Sequence, residues 1–461
     1  MLDTYPQTIA GTTQPKSIPL TKGLPLVGSL PQLIKNPFGY LKQARNTYGD
    51  IYNLNLGVSK MLMLNSPRQM QHIFVDNVQN YRKGGAMWDA IRAMLGNGLV
   101  VSEGSFWLRQ RRMMQPQFHR QRIAALSELM VSAMKEALDT WESSASGETF
   151  NMATAFNQLT MKVVTRTLFG TGLDKEEMEK VSDSLAYAVN YILKAIAFNS
   201  LPSWIPAPGR KKYQQAIKQI DETVYGIIAS SRANRGEVNH LLAMLLDMVD
   251  DETGEGMTDQ QLRDEVTTLF LAGYETTSVA LSWAFDFLSQ HPEMMQKLQA
   301  EVDSVLGGRL PTMADLHQMP YSRMILQETL RIRPPAWQVM RTAVEDDEID
   351  GYPIKAGTNI VALMYMCHFH PDEWTDPETF DPERFSPERS ESRHKLAWMP
   401  FGAGQRMCIG KDFAMMEGQL ALAMVAQRYQ ITKTSERPAE QQLAATLRPK
   451  GGVVVKLEKR A

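Results

Sequence analysis

The sequence predicts a mainly α-helical protein with small β-sheets, built as a single large fold. Three observations carry that expectation. Long stretches place apolar residues at three- and four-residue steps, the longest running from 258 to 290. Strand character is confined to short runs at 50–56 and 61–65 and to a terminal stretch at 447–457. No Pro/Gly/Ser-rich linker and no repeat period interrupts the 461 residues, and 43% of them are apolar, enough for a sizeable core. Length alone would suggest two or three domains. The lack of a linker favours one domain over 1–461, with 1–22 as a loosely ordered segment.

Taken in order, residues 1–22 are polar, with neither a signal-peptide apolar region nor a run able to span a bilayer. The apolar patch 24–33 is broken by Pro25 and Pro31. Residues 37–48 follow Asn36 and read as a short helix, and 50–56 and 61–65 as a hairpin turning at Gly57. Ser66 and Pro67 open another helix. The stretch 83–101, with Met87, Trp88, Ile91, Met94, Leu95 and Val100, reads as an irregular loop that packs down. Trp107 and Arg111 then share one helix face, where an indole N–H and a guanidinium can both donate to a carboxylate. Arg109, Arg112, Arg120 and Arg122 add charge nearby, as a solvated face or a docking patch. Amphipathic patterns continue to about residue 231. Two of them, 174–198 and 209–232, are joined by a proline-rich loop at 202–208.

The helix at 258–290 carries a stripe of Leu262, Val266, Leu269, Gly273, Thr276, Ala280, Trp283 and Phe287. Gly273 costs about 1 kcal/mol relative to alanine inside a helix, and a Thr on a buried face needs a hydrogen-bond partner. Both are unfavourable unless something passes close by. A threonine bonded back to a carbonyl one turn earlier would bend the helix there. Residues 321–333 form a further helix ending at Pro334 and Pro335, with Glu328 and Arg331 three apart on one face. Arg384 follows in the segment 380–385.

Composition excludes several classes. A net charge of −2 argues against nucleic-acid binding driven by bulk charge. Two cysteines make no disulfide framework and no Cys-x-x-Cys pair. His368 and His370 lack a nearby third ligand, and Cys367 lies in an apolar run without a glycine turn. Cys408 is different. It sits in Phe-Gly-Ala-Gly-Gln-Arg-Met-Cys-Ile-Gly, residues 401–410, just before a helical run at 413–425. A thiolate there gains from the helix N-terminus and its open N–H groups, while Gly402, Gly404 and Gly410 leave clearance for a flat cofactor. We read Cys408 as the axial thiolate of a haem iron.

The stretch Phe-x-x-Gly-x-Arg-x-Cys-x-Gly closely resembles the haem-binding loop of the cytochrome P-450 superfamily. The other motifs follow in that family's order, from Trp107 to Gly410. The resemblance implies haem b between the long central helix and the cysteine loop, with Phe401 and Gly402 against the cofactor. It gives Trp107, Arg111 and Arg341 to the haem propionates, with Arg406 as a further candidate. It makes 83–101 a flap over the distal haem face and 174–232 a lid. Ala272, Gly273, Glu275 and Thr276 resemble the family's oxygen groove and acid–alcohol pair. Splitting dioxygen with loss of water consumes two protons, which an alcohol-held water and a carboxylate can relay. An ordinary salt bridge is the other reading of Glu275. Glu328, Arg331 and Arg384 resemble a structural network behind the loop. Met87, Trp88, Val100, Ala272, Thr276, Pro335, Ala336 and Val339 would line the substrate cavity.

The resemblance thus implies a monooxygenase that inserts one atom of O2 into a hydrophobic substrate by hydroxylation or epoxidation. Electrons would come from a separate ferredoxin or flavodoxin with an NAD(P)H-dependent reductase. A peroxygenase using H2O2 and a non-catalytic haem sensor are the alternatives. A monomeric, cytoplasmic protein of the soluble bacterial type, without membrane anchor or nucleic-acid partner, is expected.

Overall fold

Local signals set the first elements. Asn36 accepts a hydrogen bond from the Gly39 N–H at 3.1 Å, and Pro37 occupies the first helical position, so the helix starts there and runs Pro37–Tyr48. Ser66 and Gln69 close a reciprocal capping box over Pro67–Gln71. The computed structural model describes residues 16–142, 146–170, 175–199, 207–233, 240–435 and 438–460. By its contacts the chain divides into two units, Met1–Arg82 with Met340–Ala362, and Lys83–Val339 with Leu363–Ala461.

The first unit is built on a five-stranded sheet. Its order is Ile51–Asn55, Lys60–Leu64, Asn359–Ala362, Val339–Ala343 and Tyr81–Arg82. The first pair is the antiparallel hairpin turning at Gly57, and Lys60–Leu64 runs parallel to Asn359–Ala362 with Leu62 opposite Ile360. Of the segment 1–22, residues 16–22 are described. The Pro19 carbonyl accepts from the Asn53 N–H at 2.7 Å, and the Thr21 N–H donates to the Asn53 carbonyl at 2.9 Å.

The second unit is mainly helical. Its core helix, Asp259–Gln290, opens with Thr258 and Gln261 in a capping box and buries most of its length. It packs on Met152–Phe169, Arg210–Ala233, Pro320–Ile332 and Lys411–Arg428. Trp283 and Phe285 are fully buried, each contributing about 1.5–3 kcal/mol of transfer free energy. Phe285 stacks on Phe156 at 5.2 Å. A Cβ at Gly418 would stand 2.5 Å from Leu326, so that glycine lets Lys411–Arg428 lie close on Pro320–Ile332.

Two expectations are corrected. Residues 83–101 are not an irregular loop: Ala86–Leu95 form a helix bounded by Gly85 (φ +88°) and Gly96 (φ +70°). Its apolar face, Ala90, Met94 and Leu95, packs with Ala188, Val189 and Ile192, and burying that face holds the helix. Nor is 447–457 one hairpin. Leu447–Pro449 pairs with Gln441–Leu443, whereas Val454–Lys459 lies between Ser146–Asn151 and Tyr429–Lys433. Pro449 and two successive positive-φ glycines, Gly451 and Gly452, carry the chain from one sheet to the other. The helices expected at 174–198 and 209–232 are Lys175–Asn199 and Arg210–Ala233, while 201–206 of the proline-rich loop lies outside the described residues.

Candidate active site

All but one of the residues singled out by the sequence lie in the second unit. The exception, Arg341, belongs to the first, where it is buried with its guanidinium over Phe74.

The cysteine loop is closed by the Cys408 N–H donating to the Phe401 carbonyl at 2.9 Å. Gly402 (φ +72°) and Gly404 (φ +63°) adopt the left-handed backbone that an L side chain resists. Helix Lys411–Arg428 begins immediately after Gly410. Cys408 is reachable from outside yet hemmed in by protein. Loss of water pushes its thiol up, and the Gly410 N–H, Arg111 and Lys411 pull in the other direction without prevailing.

The central helix presents a matching opening. Ala272 is exposed and Leu269, Gly273 and Thr276 are half-open, whereas Phe270, Tyr274 and Thr277 beside them are buried. Thr276 donates back to the Ala272 carbonyl at 2.7 Å. The neighbouring Thr277 faces the core, which separates two threonines the sequence leaves side by side. The close approach demanded at Gly273 comes from Val164, whose Cγ2 would stand 2.9 Å from an added Cβ. That glycine lets Met152–Phe169 pack close on the central helix, next to the half-open face it shares with Ala272 and Thr276.

Glu275 is held. Its Oε1 accepts from Arg448 Nη2 at 2.5 Å and from the Thr446 hydroxyl at 2.7 Å, and Arg448 Nε also donates to Thr446 at 3.0 Å. Neither Arg448 nor Thr446 carries a sequence signal, and Arg448 lies 173 positions from the acid it meets.

Trp107 is buried on helix Gly104–Met114, and the Arg406 guanidinium lies 3.6 Å over its ring. Arg406 donates to Glu103 Oε2 at 2.6 Å and to the Ser102 carbonyl at 2.9 Å, so its charge is already answered by a carboxylate the sequence reading missed. Arg111 donates to the Met407 carbonyl at 3.0 Å, beside the cysteine. The arginines that could have made a docking patch are largely matched by acids. Arg112 binds the buried Asp250 at 2.6 Å and also Glu252, Arg109 lies 3.6 Å from Glu255, and Arg120 lies 3.7 Å from Asp412. Arg112 holds the Asp250 carboxyl down to about 2.

Three successive central-helix residues fix the end of Ala86–Leu95 and the segment after it. Arg263 Nη2 donates to the Met94 carbonyl at 3.3 Å, Asp264 accepts from the Asn97 N–H at 2.8 Å, and Glu265 accepts from the Leu99 N–H at 2.9 Å. Burial pushes the Glu265 carboxyl up to about 8. Met87 and Leu271 each pack against the cluster of Ala90, Met94 and Leu95, Trp88 is buried under Lys83, and Val100 is exposed. Pro335 is buried, Val339 half-buried and Ala336 exposed.

Behind the loop, Glu328, Arg331 and Arg384 are brought together and buried. Arg331 grips Glu328 bidentately at 2.6 and 2.8 Å, and Arg384 reaches the same carboxylate at 3.3 Å. Arg331 also donates to the His368 and Pro377 carbonyls at 2.8 Å. His368 accepts from the Met399 N–H at 3.0 Å, and its other ring nitrogen faces the Arg331 carbonyl at 3.0 Å. That double backbone bond gives this histidine a structural place. Burial lowers its basicity to about 3.

These residues suit a flat, iron-bearing ring. The central helix opens at its middle, a side chain built on Gly402 would meet nothing within 4 Å, and one on Gly410 would approach only the Cys408 sulfur, at 4.0 Å. The thiol lacks a positive charge at the sulfur strong enough to keep it ionised, which a metal ion supplies. Among the described residues no group of three or more His, Cys, Asp or Glu could otherwise hold a metal.

Comparison with known proteins agrees with this geometry. A family model described as Cytochrome P450 matches residues 18–457. Cyclooctat-9-en-7-ol 5-monooxygenase of Streptomyces melanosporofaciens is 33% identical over 437 residues, covering 94% of each chain. Pentalenene oxygenase of Streptomyces avermitilis is 28% identical over 409 residues, covering 89% of this chain and 90% of the relative. The crystal structure of the cytochrome P450DA heme domain superposes with a TM-score of 0.88 at 26% identity, covering 97% of this chain and 98% of that one.

Proposed function

The chain belongs to the cytochrome P450 family, and from that premise we propose that it hydroxylates or epoxidises a hydrophobic substrate with Cys408 as the iron ligand. It is a monooxygenase whose cofactor is haem b held by a cysteine thiolate. When bound, the haem supplies dioxygen activation, and its thiolate ligand pushes electron density that favours O–O cleavage.

The observation that carries the reading is an accessible cysteine in a glycine turn together with a central helix that opens at its middle along Leu269, Ala272, Gly273 and Thr276. Within it, Thr276 holds a water by its hydroxyl and Glu275 passes solvent protons to that water. Arg448, part-exposed, keeps Glu275 oriented between turnovers. Trp107 and Arg111 would hold the cofactor's acidic groups, a role the family motif gives Arg341 as well, while Arg406 steadies the Trp107 ring. Met87, Trp88, Val100, Pro335, Ala336 and Val339 shape an apolar pocket. The relatives named for cyclooctat-9-en-7-ol and pentalenene put hydrocarbon and simple alcohol skeletons first among compounds to screen for a spin-state change. A separate ferredoxin or flavodoxin with its reductase supplies the electrons.

The test is Thr276→Ala in a system reconstituted with reductase and NAD(P)H. The lost hydrogen bond to Ala272 is offset by alanine's helix propensity, so stability changes by no more than about 0.5 kcal/mol and haem uptake is retained. Product per NAD(P)H falls and peroxide rises. An unchanged yield overturns the relay, and an equal rate with H2O2 alone favours peroxygenase chemistry.

A further inference from the structure

The segment 96–102 joins helix Ala86–Leu95 to helix Gly104–Met114. Gly98, Leu99, Val101 and Ser102 are buried and Val100 between them is exposed, so the seating of this segment decides where the Val100 side chain stands. Local bonds fix its shape. The Val101 and Ser102 N–H groups donate to the Gly98 carbonyl at 3.0 Å, and Lys83 and Arg92 donate to the Val100 and Val101 carbonyls at 2.6 and 3.3 Å. The central helix then holds that shape in place. Asp264 accepts from the Asn97 N–H, and Glu265 Oε2 accepts from the Leu99 N–H at 2.9 Å, one residue before Val100. Two glycines allow the approach: a Cβ at Gly98 would collide with the Thr268 hydroxyl, and one at Gly96 with the Asp264 carboxylate.

This seat is polar but incompletely satisfied. Glu265 is 1% exposed and Thr268 2%, yet Glu265 Oε1 and Thr268 Oγ1 have no hydrogen-bond partner in the protein. Buried polar atoms left so are costly, and lifting the segment relieves the cost by letting water reach both oxygens. The nearby cations are already engaged. Arg263 is taken up by Asp221 of helix Arg210–Ala233 and by Asp264, and Arg92 by Asp89. Arg109 and Arg112 of helix Gly104–Met114 meet Asp250, Glu252 and Glu255, and no residue of 96–102 is charged. Asp264 adds to what burial does to the Glu265 carboxyl, so the seated acid keeps its proton at neutral pH. We propose that Glu265 is a positioning residue for the substrate pocket, seating Val100 through the Leu99 N–H and releasing both that bond and a proton to solvent water when the segment lifts. The inference rests on Val100 lining the pocket. The sign of the pH effect follows. The carboxyl titrates at about 8 when seated and near 4.5 when lifted, so the seat is firmest below about 4.5 and loosens as pH rises to about 8.

Hydrogen exchange at the Leu99 amide of the full-length holoprotein reads the lifting directly. Corrected for the intrinsic pH dependence of exchange, the opening constant rises about tenfold per pH unit between about 5.5 and about 7.5. Glu265→Gln keeps an acceptor for Leu99, cannot ionise, and removes that rise. Glu265→Ala loses the bond and raises the opening constant about fivefold at pH about 5.5. Phenylimidazole reads the pocket by absorbance, because its ring nitrogen binds the haem iron while its phenyl group needs the apolar space. Val100→Ala and Glu265→Ala each weaken it about threefold, and together no more than either alone, since both act through the place of one side chain. The same pH dependence in the native protein and Glu265→Gln overturns the proposal, as does native phenylimidazole affinity in Glu265→Ala. Additive losses in the double variant also overturn it, because Glu265 then acts elsewhere than through Val100. Native affinity in Val100→Ala overturns the pocket reading on which the proposal rests, a failure that the Leu99 exchange keeps apart from the first.

Discussion

Replacing Arg448 by Ala and Glu275 by Gln, singly and together, distinguishes a structural ion pair from a working carboxylate. The Arg448 side chain is 28% exposed and that of Glu275 9%, with the pair at 2.5 Å. Two unit charges about 4 Å apart at an effective dielectric of about 20 attract by roughly 4 kcal/mol, and desolvation returns much of that. A coupling of about 1–2 kcal/mol lies between exposed pairs, at about 0–1, and fully buried ones, at about 3–5. The Glu275→Gln amide keeps an acceptor for Thr446, so the cycle isolates the charge. Denaturant midpoints of the four holoproteins, at matched slopes, give the coupling. Turnover gives the rest: Glu275→Gln slows product formation by about tenfold or more with a solvent isotope effect, whereas Arg448→Ala costs stability and spares most of the rate. A coupling under about 0.5 kcal/mol refutes the pairing. Glu275→Gln that loses stability but keeps its product yield makes the salt bridge the whole role of this acid.

Two further variants probe the frame. Glu328→Gln strands the buried Arg331 and Arg384 guanidiniums, costs about 3–5 kcal/mol and cuts the yield of haem-loaded protein severalfold; normal loading with an unchanged melting temperature contradicts the network. Glu417 is fully buried on helix Lys411–Arg428, and burial pushes its carboxyl up from 4.5 to about 8 against the opposing pull of Thr277. Between those pH values the folded state holds a proton that the unfolded state has lost, so stability falls as pH rises from about 4.5 to about 8. Glu417→Gln removes that slope. It stabilises the protein at pH near 8 by on the order of a few kcal/mol and gains little near 4.5, as melting curves at the two pH values will show.

What the sequence made legible was local. Asn36 with Pro37, and Thr258 with Gln261, are cap signals within four residues of the helices they open, and those helices start where the signals say. The glycine turn around Cys408 is likewise contiguous. The helix Ala86–Leu95 was legible in principle, since Trp88, Ile91, Met94 and Leu95 follow helical spacing, although the stretch reads as irregular apolar sequence. Pairings across long separations were not legible. Arg448 meets Glu275, Glu103 meets Arg406 across 303 positions, and Glu265 meets the Leu99 N–H, yet a lone charged residue on a strand or loop carries no local mark of its partner. The patch 24–33 was read only as too broken to cross a membrane. Its exposure follows from the turn at 24–28 and the hairpin tip at Gly57 meeting, a tertiary fact.

The most direct test of the sulfur–iron bond is the ferrous–CO spectrum of the purified protein beside that of Cys408→Ala. The account predicts a thiolate-type band in the native chain and its loss in the variant. A variant that keeps the band, or a native protein that binds porphyrin through a nitrogen donor, contradicts it.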